Sequence, residues 1–265
     1  MEYENIGIIC QARLSSSRLP GKVLYDLGGI NSLGLIHKRF KIQLSNQYKF
    51  IIATSDSSED KAIEYFCEEN KINCFKGSLE NVLKRYLDCS QINNFNYIVR
   101  ITSDCPLLDF NPIPNMLKIL MDNNFDYISN THSDCGHVPD GFDIEIFSIS
   151  ALKKAFELDD LLPSDKEHVT FPFLNKSIFS KRLIKDTPTE YSNLRLTLDE
   201  PKDYKLISSL IKLIGLKEIT NYSMYQICDF IIKNDLNKIN DQIKKNKGWE
   251  SSFKKDLEFI NNKDN

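Results

Sequence analysis

The chain has 265 residues, 41% hydrophobic, 27% charged and 11% aromatic, too apolar for a disordered segment and long enough to bury a full core without disulfide or metal staples. A balance of 34 basic against 37 acidic residues gives a net charge of −3, which argues against nucleic acid as the main partner; no apolar run approaches the roughly 20 residues that span a bilayer. Seven cysteines without a CxxC pair, behind an acidic start at residues 1–5 that lacks a signal-peptide pattern, predict reduced, buried thiols in a cytoplasmic protein.

Short runs rich in Ile, Val and Phe predict strands at 6–11, 49–54, 73–76, 97–102 and 126–130. Between them, apolar residues at helical spacing predict helices over 32–44, 58–70, 79–91 and 112–123, with Ser58, Asp60, Ser78 and Asn81 placed where helices begin. This alternation predicts βαβ units in a mostly parallel, doubly wound α/β sheet. The pattern loosens through the polar segment 131–141 and resumes with a strand at 142–147, on which Asp143 and Glu145 share a face. Helices are expected at 149–158, 165–175, 201–214 and 223–233, with one or two strands inside 180–198. Residues 234–265, which hold the single tryptophan, Trp249, read as a helical tail appended to a unit of residues 1–233.

Chemistry concentrates in three segments. In IICQARLSSSRLPGKVL, residues 8–24, the cations Arg13, Arg18 and Lys22 and three serines follow the first strand around a Pro20-Gly21 turn. Cations, hydroxyls and free backbone N–H groups at the carboxyl end of a first strand complement a polyphosphate. Neither GxxxxGK nor GxGxxG occurs there, so a Walker loop is excluded and a dinucleotide oxidoreductase is disfavoured. In VRITSDCPLLD, residues 99–109, Asp104 ends a predicted strand, where a carboxylate holds a hard cation such as Mg²⁺ or, equally, forms a turn or cap. LRLTLDEPKDY, residues 194–204, repeats the pattern, with Asp199 closing a predicted strand and Glu200-Pro201 opening a helix. Two acids after two strands and a cationic loop after a third suit metal-assisted attack on a nucleotide phosphate. Arg100 and Arg195 lie inside predicted strands and are expected to pair with a nearby carboxylate or with a substrate, the carboxylate being favoured, because a buried unpaired cation is costly. His132, Cys135 and His137 lack a second ligand pair at zinc spacing, so no zinc site is expected.

QARLSSSRLPGK closely resembles the signature loop of the CMP-sugar synthetase (cytidylyltransferase) superfamily. RITSDCPLLD, PDGFDIEIF, EHVT and LTLDEPKDY resemble, in that order, its spore coat polysaccharide biosynthesis cytidylyltransferase-like branch, and NKGWESSFKKD resembles the branch's tail. The resemblance implies a Rossmann-like GT-A nucleotidyltransferase fold. It also implies an enzyme that transfers CMP from CTP to an acidic or modified sugar for surface polysaccharide or glycan, releasing pyrophosphate. Gln11, Ala12, Arg13, Ser16, Arg18, Lys22 and Ser103 would then bind the nucleotide, Asp104 and Asp199 would hold Mg²⁺, and Arg13, Arg18, Lys22 and Asp104 would carry the catalysis. Asp143, Glu145 and His168 are candidates to touch the acceptor, against a solvated strand face and a structural histidine as the alternatives. Ser15 and Ser103 stand where relatives often carry Gly, which would be strained at positive φ; Asp140 stands where the branch often carries Arg, which bears on acceptor choice. The expected partners are CTP and a small sugar, with a homodimer allowed and neither nucleic acid nor membrane. The alternatives are a GT-A glycosyltransferase, whose usual DxD spacing Asp104 and Asp109 do not have, and a nucleotide-binding partner without turnover.

Overall fold

The computed structural model describes residues 5–44, 47–131, 138–185, 187–243 and 247–263. His132, Cys135 and His137 lie outside them. Four strands run parallel: β1 (Ile6–Gln11), β2 (Lys49–Ser55), β3 (Asn73–Gly77) and β4 (Tyr97–Thr102). They are joined by α1 (Ser32–Gln43), α2 (Lys61–Glu69) and α3 (Val82–Ile92), and α4 (Ile113–Asp122) leads on to β5 (Tyr127–Ser129). β6 (Glu145–Ser148) enters antiparallel between β4 and β5, and β7 (Lys181–Leu183) lies parallel to β5. The resulting order is β3-β2-β1-β4-β6-β5-β7.

The central strands are apolar on both faces because both are covered. Ile8, Cys10, Ile52, Val99 and Ile101 face α1, α2 and α4, packing on Ile36, Phe40, Ile63 and Leu117. Ile9, Ile51, Ala53 and Ile98 face the other way, toward Leu83 and Tyr86 of α3 and Leu152 of α5 (Ile149–Phe156). Each fully buried Ile or Leu contributes about 1.5–3 kcal/mol, so the alternation along these three strands holds three layers together. A third cluster forms where α8 (Pro201–Ile214), α9 (Leu216–Ile219) and α10 (Met224–Lys233) pack on Leu194, Leu196 and Leu198. Arg39, fully buried in α1, ties the first apolar cluster to the third by donating to the carbonyls of Leu108 (2.8 Å), Ile219 and Tyr222 (2.7 Å).

Several expectations need correction. The predicted strand at 142–147 begins only at Glu145, because the Asn130 side chain takes over the pairing: it accepts from Ile144 N–H at 2.8 Å and donates to Phe142 O at 3.0 Å. The predicted helix over 165–175 is two helices, α6 (Pro163–His168) and α7 (Phe171–Asn175), broken at the fully buried Val169 (φ 62°) ahead of Pro172, which has no N–H to continue the helix onto the His168 carbonyl. Asp199 does not close a strand. Residues 194–198 form only a single bridge, Asp140 to Arg195, with Leu198 N–H donating to Asp104 O at 2.7 Å. Cys74 is exposed, unlike Cys10, Cys67, Cys89, Cys105 and Cys228.

Past a 3-10 turn at Leu236–Ile239, α11 (Lys247–Lys263) returns across α6, where Asp256 Oδ1 accepts the Ser164 N–H at 2.9 Å. Its buried positions include Ser252 and Asp256, whereas Phe253, Leu257 and Ile260 face outward. No helix among the described residues is long and apolar enough to cross a membrane.

Candidate nucleotide and metal site

The loop after β1 is shaped by its own backbone. Ser16 N–H and Gly21 N–H both donate to Leu14 O, at 2.8 and 2.9 Å, and Gly21 takes φ 72°, which glycine adopts at little cost. The loop is anchored from beside: Ala12 N–H donates to Ala53 O at 3.1 Å, and Leu14 N–H to Asp60 Oδ1 at 2.7 Å. Ser16 Oγ accepts Leu19 N–H at 3.4 Å. Neither Ser15 nor Ser103 has positive φ, so the two departures from Gly are unstrained. Ser103 continues β4, its N–H donating to Gln11 O at 3.1 Å and its carbonyl accepting the Ser32 hydroxyl at the start of α1.

This framework brings Lys22, Arg18, Asp104 and Asp199 together. Lys22, 7% exposed, extends from the 3-10 turn after Gly21 and places its Nζ 3.1 Å from Asp104 Oδ2 and in direct contact with Asp199 Oδ1. Arg18 Nη2 lies 2.8 Å from Asp199 Oδ2, and its Nε lies 3.6 Å from Glu200 Oε1. Burial alone would lower the Lys22 pKa, but Asp104 and Asp199 more than offset it and leave it raised. Burial alone would raise the Asp104 carboxyl, yet Lys22 and a hydrogen bond from Thr102 hold it well below the usual carboxylate range. Two carboxylates thus converge on one cation. A hard divalent ion accepts such a pair and completes its shell with water and phosphate oxygens. The donor set therefore fits Mg²⁺, with the Lys22 ammonium standing where positive charge is already favoured.

Arg195 braces Asp199 from behind, with Nη2 3.2 Å from Asp199 Oδ2, Nη1 2.6 Å from Asp140 Oδ2 and Nη2 3.1 Å from Asp203 Oδ2. Burial, with the charge of Asp143 behind it, outweighs Arg195 and pushes the Asp140 carboxyl up to about 7. Arg13 is half exposed and turned aside, its Nη2 3.5 Å from Glu167 Oε1. Glu167 also holds Lys255 of α11 at 3.1 Å.

The three acceptor candidates lie on the β6 side. Asp143 accepts from the Thr131 hydroxyl and from Gly141 N–H at 3.2 Å, and burial raises its pKa. Glu145, 4% exposed, pairs with Arg100 and accepts the Tyr127 hydroxyl at 2.6 Å. His168 Nε2 lies 2.8 Å from Ser252 Oγ, and its ring stacks on Phe171 at 4.4 Å. Burial and the nearby Arg100 push its pKa down to about 4, so the ring is neutral at pH 7. Gln11 Oε1 and Arg100 Nε, on adjacent strands and two residues apart in register, are buried without a hydrogen-bond partner among the described residues.

A family model described as Cytidylyltransferase matches residues 7–242. The chain belongs to the cytidylyltransferase family. It is therefore a nucleotidyltransferase, which displaces the glycosyltransferase and non-catalytic alternatives. SpsF, a spore coat polysaccharide biosynthesis protein of Bacillus subtilis, is 29% identical over 220 residues, 80% of this chain and 88% of SpsF. A cytidylyltransferase from Leptospira borgpetersenii has the same fold at a TM-score of 0.77 and 29% identity, covering 91% of this chain and 98% of its own. A CMP:2-keto-3-deoxy-manno-octonic acid synthetase solved with CTP shares the fold at a TM-score of 0.59 and 15% identity, with 79% and 99% covered.

Sequence reasoning about this cytidylyltransferase did not reach Asp203 and Asn240, which support Asp199. For Asp203 a signal was available: Glu200 and Asp203 flank Pro201 with the spacing of a capping box, and Asp203 accepts the Glu200 N–H at 2.9 Å. Nothing local marks Asn240.

Proposed function

We propose that this cytidylyltransferase transfers CMP from CTP to an oxygen of an acidic or modified sugar, releasing pyrophosphate, in the assembly of a surface polysaccharide or glycan. The observation that carries the reading is the meeting of Lys22, from the loop after β1, with the carboxylates of Asp104 and Asp199. The CTP-bound synthetase and the spore coat function named for SpsF support the nucleotide and the product class respectively.

Arg18 and Lys22 receive the triphosphate, and Arg13 joins them by leaving its long contact with Glu167. Asp104 and Asp199 hold Mg²⁺, which when bound neutralises charge on the nucleotide oxygens. In the transfer, the acceptor oxygen bonds to the α-phosphorus while the bond to the β-phosphate bridging oxygen breaks. Pyrophosphate departs with that electron pair, and the acceptor's proton passes to water. Arg18 and Lys22, already gathered at the site, stabilise the charge of the departing pyrophosphate. Asp104, held far below neutral pH in its titration, acts as a ligand rather than a proton acceptor. Asp143, Glu145 and His168 are the residues assigned to the acceptor, and Gln11 remains assigned to the nucleotide.

Thermal unfolding of the wild type and Arg18→Ala with CTP, UTP, ATP or GTP, each with and without Mg²⁺, tests the nucleotide half. A ligand at ~100 times its dissociation constant adds about 2.7 kcal/mol, enough to raise the midpoint by a few degrees. The expected result is a shift for CTP with Mg²⁺ that shrinks in Arg18→Ala, followed by pyrophosphate release in a screen of sugar acceptors. A shift with nucleotide sugars and none with any triphosphate would overturn the proposal.

A further inference from the structure

The late part of the chain reaches the site through one buried carboxylate. Asp203, fully buried in the first turn of α8, accepts on Oδ2 the N–H groups of Asp199 at 3.1 Å and Glu200 at 2.9 Å. The Arg195 guanidinium lies against both of its oxygens, with Nε at 3.2 and 3.3 Å. Since Arg195 also holds Asp140 and Asp199, one cation faces three carboxylates. A further donor comes from far along the chain. Asn240, 3% exposed and next to the 3-10 turn that packs on α8 and α10, donates its side-chain amide to Asp203 Oδ1 at 2.8 Å and to Arg195 O at 2.9 Å. Both hydrogens of the amide are thereby used.

We propose that Asn240 is a positioning residue for the metal site. By clamping Asp203 and the backbone of Arg195 it fixes the peptide that carries Asp199, and so sets how tightly the site takes a divalent cation. This rests on Asp199 being a metal ligand. A neutral amide suits the position because it adds a hydrogen bond without adding charge. A carboxylate there would repel Asp203, and a cation would compete for Asp203 and release Arg195 to neutralise Asp199 in the metal's place. Groups that orient metal ligands from behind typically control affinity by 10–100-fold.

The test compares full-length wild type, Asn240→Asp, Asn240→Ala and Asp199→Asn by Mn²⁺ binding in the presence of CTP, read from the electron paramagnetic resonance of free Mn²⁺, alongside ligand-free melting temperatures. Asn240→Asp is isosteric and replaces the donor with an acceptor. Both Asn240 variants are expected to bind Mn²⁺ about tenfold more weakly. The Mg²⁺ needed for half-maximal pyrophosphate release should rise by a similar factor, so that added Mg²⁺ rescues the Asn240 variants but not Asp199→Asn. Unchanged Mn²⁺ affinity in the Asn240 variants, with affinity lost in Asp199→Asn, overturns the positioning role and leaves the metal assignment standing. Unchanged affinity in Asp199→Asn overturns the metal assignment itself. Asn240 variants that melt too low to bind CTP would make the residue part of the scaffold, and would equally overturn the proposal.

Discussion

Lys22 is a long apolar stem ending in a charge that two carboxylates share, and it is nearly buried. Removing one partner from such a cluster leaves like charges facing each other with little water between them. Lys22→Gln is therefore expected to lower ligand-free stability by about 2 kcal/mol, less than for a fully buried pair because Asp104 keeps some exposure. Mg²⁺ alone should then raise the melting temperature of Lys22→Gln more than that of the wild type, since a divalent ion supplies the missing charge. A wild-type shift as large as the variant's would count against shared occupancy by Lys22 and metal. Asp104→Ala should cut pyrophosphate release on the order of a hundredfold or more once an acceptor is found. Near-full turnover would remove Asp104 from the metal site.

Among the elements, the segment carrying Asp199 is held by a close backbone approach rather than by a ladder. Gly141 sits at φ 109°, and a Cβ there would come within 2.6 Å of the Leu196 carbonyl carbon. Gly141→Ala should cost about 2 kcal/mol or more, from the backbone conformation and the collision together. Denaturant unfolding measures this, and loss of Mg²⁺-dependent CTP binding beyond the loss of stability would show that the displaced segment carries Asp199 with it. The same region explains what was legible in the sequence. β1, β2, β4 and α1 to α4 follow their hydrophobic periods because each buries its own apolar face, and Asn31 and Asn81 cap two of the helices locally. Residues 194–198 alternate like a strand yet pair with single residues from two distant segments, a partnership no local pattern encodes. The break at Val169 was legible, by contrast: Pro172 has no N–H to bond the His168 carbonyl, so one helix could not run through 165–175. In the site, the cationic loop and the acids after it were legible from composition and order. The contact of Lys22 with both acids was not, because charge placement across 177 residues leaves no trace in spacing.

Across the whole molecule, α11 closes over α6 through polar contacts, with Ser252 on His168 and Asp256 on the Ser164 N–H. That docking carries a pH signature. His168 titrates near 6.5 when unfolded and at about 4 when folded, so the unfolded chain binds the proton more readily. The stability it contributes is present above about 6.5 and is lost as pH falls toward 4. Melting curves between pH 7.5 and about 4.5 should therefore show a steeper decline for the wild type than for His168→Gln, which lacks the titrating ring. Parallel declines would mean that the ring is charged in the folded protein.

The strand order has a consequence in time. Lys22 and Asp104 lie on the loops that follow the neighbouring strands β1 and β4, whereas Asp199 lies 95 residues beyond Asp104 and Asn240 later still. At a synthesis rate of roughly 5–20 residues per second, a nascent chain spends several seconds with the loop and the first carboxylate made and the second absent. During that interval Lys22 has one carboxylate to neutralise instead of two, and the growing chain carries half of the proposed metal site. Under the proposed function, activity is thus postponed until the late segments dock.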